Sequence, residues 1–128
     1  MNVALISRTL DFASGGVAPV LQVWDRTKSN LAIKGVAALG SLPLYLNTIN
    51  AKIRTIKDFT SSDRIALPAV RVSIQALLLQ MAASQTFGDD KYASLDRLTV
   101  GLNHPLAVAA LLSGTEITAH FAASPYQD

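Results

Sequence analysis

The chain has 128 residues, half of them hydrophobic, so it is long enough to bury one core and too short for two independent domains of ordinary size. Its formal net charge is only +2 and its basic residues are interleaved with acidic ones, a distribution that offers no stripe of cations to a nucleic-acid backbone. The absence of cysteine excludes disulfides, thiolate metal ligands and cysteine nucleophiles. We therefore expect a folded protein that does not bind nucleic acid.

The apolar stretches of the chain predict neither an export signal nor a membrane span. Residues 1–6 are mildly apolar, but Arg8 and Asp11 follow well short of the roughly 7–15 apolar residues of a signal peptide. The most apolar stretch, residues 70–81, contains Arg71 and two glutamines and is shorter than the roughly 20 residues of a membrane helix. We interpret it as a core helix.

The first third of the chain predicts a strand, a glycine turn, a helix and a second strand. Residues 10–13 are expected to form a short strand that ends at Ser14-Gly15-Gly16. Residues 17–26 then predict a helix, with Pro19 tolerated in its first turn. Residues 31–39 are expected to form a buried strand.

The remainder of the chain alternates short apolar runs with longer helical patterns. Residues 50–63 are polar and predict a solvated connection with one helical turn. Gly88 and Gly114 suit the ends of two helices. The predicted strands are residues 44–48, 64–67, 98–102 and 117–121, and the predicted helices are residues 70–87 and 105–113. This rhythm favours an α/β protein with a mainly parallel mixed sheet flanked by helices.

The long predicted helix has a candidate core face. Its apolar residues Ile74, Leu77, Leu78 and Met81 follow the i, i+3, i+4, i+7 spacing of an amphipathic helix. We expect this stripe to pack in the core.

A resemblance to a known family rests on several short motifs in a fixed order. The run Asp11-Phe12-Ala13-Ser14-Gly15-Gly16-Val17-Ala18-Pro19 resembles a signature of the solute-binding proteins of ABC importers for nitrate, sulfonates and taurine. Three later features agree with it: Gly40-Ser41-Leu42-Pro43-Leu44-Tyr45, Asp58-Phe59 before Arg64-Ile65-Ala66-Leu67-Pro68, and Ala109-Ala110-Leu111-Leu112-Ser113-Gly114 before Glu116-Ile117-Thr118-Ala119.

The resemblance implies a two-lobed, periplasmic-binding-protein-like fold of the second type. Residues 1–40 would belong to an incomplete first lobe, and residues 41–128 to a second lobe with its crossing strand. Family members have further strands before and after this region, so the chain is expected to be partial. The lobe edges left exposed could pair between copies of the chain and form a homo-oligomer. The implied function is capture of a small anionic solute in a cleft between the lobes and its delivery to an ABC permease in the membrane, from the periplasm.

The candidate ligand-binding residues fall in four places, each with a simpler structural alternative. The loop Ser14-Gly15-Gly16 precedes a helix N-terminus, which suits an anion, although it is also an ordinary turn. Arg71, Val72 and Ser73 open the long helix, where Ser73 either contacts the anion or only caps the helix. Ser41 lies at the crossing point, where it either contacts the ligand or is an ordinary turn serine, and Tyr45 is a candidate to line the cleft. His104 precedes Pro105, where Asn103 or His104 either caps the helix or points into the cleft.

We expect no enzyme activity, cofactor or metal site. The two histidines, His104 and His120, are sixteen positions apart with no glutamate spaced to join them, and His120 is expected to be an interior residue. The chain contains no nucleophile elbow around a serine. The alternatives are a non-binding truncated fragment or oligomerising lobe, an enzyme of pyrimidine-precursor biosynthesis on the same fold, and the ligand-sensing domain of a transcription regulator.

Overall fold

A computed structural model describes residues 2–127 of the protein. The chain divides into two compact units, Met1–Ser41 and Leu42–Asp128. Within residues 2–127, none of the helices is both long enough and apolar enough to cross a membrane.

The first unit is built on two helices, α1 (Asn2–Ile6) and α2 (Val17–Thr27). The predicted helix at residues 17–26 is confirmed by α2, which buries Ala18 and Val23. Its last residue, Thr27, is 2% exposed, donates its hydroxyl to the carbonyl of Val23 at 2.7 Å and accepts the N–H of Ile33 at 3.3 Å. Thr27 therefore fixes the chain that follows α2 against the helix end.

The two strands predicted in the first unit are wrong. Neither residues 10–13 nor residues 31–39 form a strand within the described part of this unit. Most of the apolar side chains in these segments are exposed, including Phe12, Val36 and Leu39 at 79%, 81% and 85%. A strand forms only when its backbone groups pair with a neighbour, and these segments have no such neighbour among residues 2–41.

The second unit is a four-stranded mixed sheet with helices on both faces, which confirms the α/β class. Its elements are β1 (Leu44–Thr48), β2 (Ile65–Leu67), α3 (Ile74–Phe87), β3 (Thr99–Gly101), α4 (His104–Ser113) and β4 (Ala119–Ala123). The strand order is β1-β4-β2-β3, with β2 parallel to both β3 and β4 and β1 antiparallel to β4. The four strands predicted in this region, at residues 44–48, 64–67, 98–102 and 117–121, each correspond to one of these, with ends shifted by up to two residues.

Two cores lie on opposite faces of this sheet. Against one face α3 packs Ala76, Leu79 and Ala83, which form one buried cluster with the strand residues Ile65, Leu67, Ala119 and Phe121. Against the other face α4 packs Ala107, which lies in a second cluster with Ala66 and Ile117. Because side chains alternate along a strand, β2 contributes to both cores, with Ile65 and Leu67 on one face and Ala66 on the other.

Helix α3 begins and ends at residues with a local reason to do so. Ser73 caps it by accepting the N–H of Ala76 at 3.2 Å, and Gly88 ends it with a φ of 107°, which favours glycine. The predicted start at residue 70 is wrong by four residues. Arg71 has a left-handed φ of 64°, which a right-handed helix cannot contain.

The predicted core stripe of α3 is confirmed only in part, since Leu78 packs against the buried cluster but Met81 does not. The helix buries Gln75, Ala76, Leu79 and Ala83, whereas Met81 is 49% exposed. Because α3 is apolar on nearly every side, its sequence periodicity does not select one face. The two alanines of the buried face allow a close approach of the helix to the sheet.

We predict that Ser73→Ala lowers the free energy of unfolding by about 1 kcal/mol, since the N–H of Ala76 then loses its acceptor. Urea denaturation followed by circular dichroism measures the change. Ser73→Asp is the matched control, because aspartate caps helices about as well as serine. Equal stability of Ser73→Ala and the unmodified protein would mean that the Ser73 hydroxyl does not cap α3 and is free for a ligand.

Candidate functional site

The glycine loop at the start of α2 presents unpaired backbone donors. Gly16 occupies the N-cap position with φ −71° and ψ 169°, and no side chain caps the helix. Within the described residues, the N–H groups of Gly15, Gly16, Val17 and Ala18 donate no hydrogen bond, and Pro19 has no N–H. Since the N-terminus of a helix also carries a partial positive charge, this loop can accept an anion.

The same loop lines a hollow in the first unit, with a volume of about 940 Å³. Two cationic side chains, Arg8 and Lys34, and one carboxylate, Asp11, also line it. The rest of the wall is mainly apolar and includes Leu5, Phe12, Val20, Leu31, Ile33 and Val36. A mostly apolar wall with a few polar groups is typical of small-molecule sites, and the volume lies at the upper end of their usual range.

The helix starts of the second unit open at one edge of its sheet. Because β2 and β3 are parallel, the chain leaves both at their carboxyl ends and enters α3 and α4 there. The strand order reverses between β2 and β4, and open α/β sheets bind ligands at such a point. The two helices lie on opposite faces, so their N-termini open at the same edge but on different sides of the sheet.

The predicted site residues at these helix starts are only partly free to bind a ligand. The hydroxyl of Ser73 is engaged as the cap of α3. Arg71 and Val72 are exposed, and Arg71 forms no ion pair with another described residue. At α4 it is Asn103 that caps the helix, since its Oδ1 accepts the N–H of Leu106 at 3.1 Å.

The residues predicted at the crossing point are exposed. Ser41 is the last residue of the first unit, and Gly40, not Ser41, ends the lining of the hollow. Tyr45 is 51% exposed on β1 and shares the sheet face of Asn47 and His120, because it is paired with Ala122 and Asn47 is paired with His120. The nine predicted site residues thus divide between the two units: Ser14, Gly15, Gly16 and Ser41 in the first, and Tyr45, Arg71, Val72, Ser73 and His104 in the second.

Two histidines meet where β4 passes under the start of α4. The Nδ1 of His104 lies 2.9 Å from the Nε2 of His120, so one nitrogen donates and the other accepts. The ring of Tyr126 stacks on the ring of His104, with ring centroids 5.6 Å apart and an interplanar angle of 19°. Sequence reasoning missed this cluster, since a spacing of sixteen residues has no meaning until the connection from β3 through α4 to β4 brings the two rings together.

Burial governs the charge of this cluster. His120 is 1% exposed, and its Nδ1 is buried with no hydrogen-bond partner among the described residues. Burial, together with the neighbouring charge of His104, lowers the pKa of His120 below its ordinary value of 6.5. Burial therefore disfavours a positive charge on His120.

Among residues 2–127 there is no group of three or more His, Cys, Asp or Glu side chains arranged to hold a metal ion. Comparisons with protein-family models, curated proteins and solved structures find no match to the chain. The function is therefore inferred from the site geometry and from the resemblance of the motifs.

Proposed function

We propose that the chain binds a small anionic solute and is the solute-binding component of an ABC importer of the nitrate, sulfonate and taurine type. The observation that supports this most is the coincidence of two independent features in the first unit. The Ser14-Gly15-Gly16 loop, selected from the sequence as an anion site, lines a hollow of about 940 Å³. Its backbone donors are also unpaired within the described residues.

The chemistry of this hollow favours an anion that carries an apolar part. Unpaired N–H groups at the start of α2 supply hydrogen bonds and partial positive charge to the anionic group. Arg8 and Lys34 outnumber Asp11 in the lining, so the formal charge around the hollow is positive. The apolar wall gains about 25 cal/mol for each Å² that a hydrocarbon tail covers.

In this proposal the chemistry is binding and not catalysis. The parent protein would be located in the periplasm and would hold its solute between two lobes of the periplasmic-binding-protein type. It would then pass the solute to a permease in the membrane. The mixed sheet of the second unit, with helix N-termini at its carboxyl edge, is compatible with one such lobe.

Substitution of Gly16 tests the proposed anion site directly. A side chain at Gly16 has room, since the nearest atom to an added Cβ is Cδ of Pro19 at 3.9 Å and the backbone is in an ordinary extended conformation. Gly16→Asp places a carboxylate at the N-cap, where it stabilises α2 but occupies the same N–H groups and repels an anion. We expect it to weaken anion binding at least about tenfold, a loss of about 1.4 kcal/mol. Gly16→Ala, the matched control, leaves the donors open and keeps the affinity.

The measurement is an NMR titration of the labelled chain with taurine, alkanesulfonates and nitrate against chloride at equal ionic strength. Binding is expected to shift the amide signals of positions 15, 16 and 17 in the unmodified protein and in Gly16→Ala. If no anion shifts these signals more than chloride does, or if Gly16→Asp binds as tightly as Gly16→Ala, the glycine loop is not the anion site.

A further inference from the structure

The rings of His104 and His120 lie nearly end to end. Their centroids are 5.1 Å apart although the contacting nitrogens are 2.9 Å apart, and that centroid distance is close to the longest that this contact permits. The two nitrogens therefore point at each other along almost one line, which is the geometry of a shared proton. Two metal ligands would instead direct their lone pairs at a common third point.

This hydrogen bond joins three parts of the second unit. His120 lies in β4 between Asn47 of β1 and Ala66 of β2, and His104 is the first residue of α4. Tyr126 stacks on His104, and the carbonyl of the next residue, Gln127, accepts the side-chain N–H of Asn47 at 2.8 Å. The pair thus ties the first turn of α4 to the sheet, and Tyr126 packs against the same turn.

Within residues 2–127, the elements that pack around the pair supply no side chain that could neutralise a second positive charge on it. The residues of β1, β2, β3, β4 and α4 and residues 124–127 include no Asp, Glu, Lys or Arg. The titratable groups among them are the two histidines, Tyr126 and Tyr45, which shares the sheet face of His120. Arg64 and Glu116 precede β2 and β4, at the opposite edge of the sheet.

We propose that His104 and His120 form a proton-operated clasp. When both rings are neutral, or when only one of them is protonated, one facing nitrogen can still accept a hydrogen bond from the other. The clasp is then closed. When both rings are protonated, both facing nitrogens are donors, the hydrogen bond is lost and two positive charges face each other. The first turn of α4 and residues 124–127 then separate from β4. This proposal is independent of anion binding, because it concerns only residues of the second unit.

The sign of the pH dependence follows from proton counting. The closed clasp holds at most one added proton and the open form can hold two, so opening takes up protons as the pH falls below the ordinary pKa of histidine, about 6.5. The opening equilibrium constant is therefore expected to rise roughly tenfold per pH unit below about 6.5. The lowered pKa of the buried His120 agrees with this direction.

Native-state hydrogen exchange of the full chain, between about pH 7.5 and about pH 5, tests the clasp. The reporters are the N–H of Ala107, bonded to the Asn103 carbonyl, and the N–H of Tyr126, bonded to the Ala123 carbonyl. Leu77 at the start of α3 is the internal reference. After correction for intrinsic exchange rates, protection of the two reporters is expected to fall relative to Leu77 by at least about tenfold. A constant ratio overturns the proposal.

A double substitution provides the matched control. In His104→Asn with His120→Gln the side-chain amides replace the two facing nitrogens, so the hydrogen bond is retained but nothing titrates. This variant is expected to lose the pH dependence, and an unchanged dependence overturns the proposal. If the variant does not fold, the imidazole ¹⁵N shifts of the unmodified chain decide the question. Coupled titration of the two rings supports the clasp, and independent titration of the two rings overturns it.

Discussion

Replacing Leu79 by alanine is expected to lower the free energy of unfolding by about 3 kcal/mol. Leu79 is 2% exposed and lies in the cluster that joins α3 to the sheet, with Ile65, Leu67 and Phe121. Removal of its isobutyl group loses the transfer free energy and leaves a cavity, because the strands that line it are fixed by their hydrogen bonds. For a chain of this size the loss is a large part of the total stability of about 5–15 kcal/mol.

Met81 provides the matched control, since it is on the same helix but 49% exposed. Met81→Ala is expected to change the free energy of unfolding by less than about 0.5 kcal/mol. Urea denaturation of both variants measures the two effects. The slope of the free energy of unfolding against urea concentration is expected to stay unchanged, which shows that only stability differs. A larger loss for Met81→Ala than for Leu79→Ala would show that α3 presents the opposite face to the sheet, as the spacing of Ile74, Leu77, Leu78 and Met81 predicts.

The sequence predicts where these elements begin and end better than which face they bury. Gly88 and Gly114 both have a positive φ at a helix end, and Pro105 lies in the first turn of α4, as local chemistry requires. Such signals act within a few residues of the chain. The buried face of α3 instead depends on the shape of the sheet, which the helix sequence does not contain.

The strands show the same division between local and distant causes. Residues 44–48 and 64–67 were predicted because short apolar runs stand between turn signals, and β1 and β2 find partners in β4 and β3. Residues 31–39 have a similar composition, but the first unit offers them no strand to pair with. Strand composition therefore shows the capacity to pair and not the presence of a partner.

For the candidate sites, a local motif was visible in the sequence and a tertiary one was not. Ser14-Gly15-Gly16 could be selected because two glycines before a helix leave backbone donors open. The contact between His104 and His120 depends on a crossover that returns the chain from β3 to β4. Only the expectation that His120 is an interior residue could be formed from its apolar surroundings, and the structure confirms it.

The buried carboxylate of Asp63 fixes the turn that leads into β2. Its Oδ2 accepts the N–H of Thr60 at 2.8 Å and the hydroxyl of Thr60 at 2.9 Å, and the residue is 3% exposed. Burial acts to raise the pKa of Asp63, but the hydrogen bonds from Thr60, with smaller contributions from the side chains of Thr118 and Asn50, outweigh it, so the pKa lies below 3.8. The ionised carboxylate is therefore the form that stabilises the fold.

Asp63→Asn is expected to lower the free energy of unfolding by roughly 2 kcal/mol at neutral pH, since two donors lose a charged acceptor. The unfolded state binds more protons between the lowered pKa and 3.8, so this contribution is complete above that window and is lost as the pH falls through it. The stability difference between Asp63→Asn and the unmodified protein should therefore narrow below about pH 4. Urea denaturation at a series of pH values measures it.

A comparison of Asp63 with Asp58 separates the effect of burial on stability from the effect of the hydrogen bonds. Its Oδ2 accepts the N–H groups of Arg54 and Thr55 at 2.9 and 2.7 Å, but the residue is exposed. Water can replace a lost acceptor there, so Asp58→Asn is expected to cost less than Asp63→Asn at neutral pH. Equal losses of unfolding free energy for the two variants would mean that burial adds nothing to the effect of the hydrogen bonds of Asp63. The turn before β2 would then be more open to solvent than the burial of Asp63 indicates.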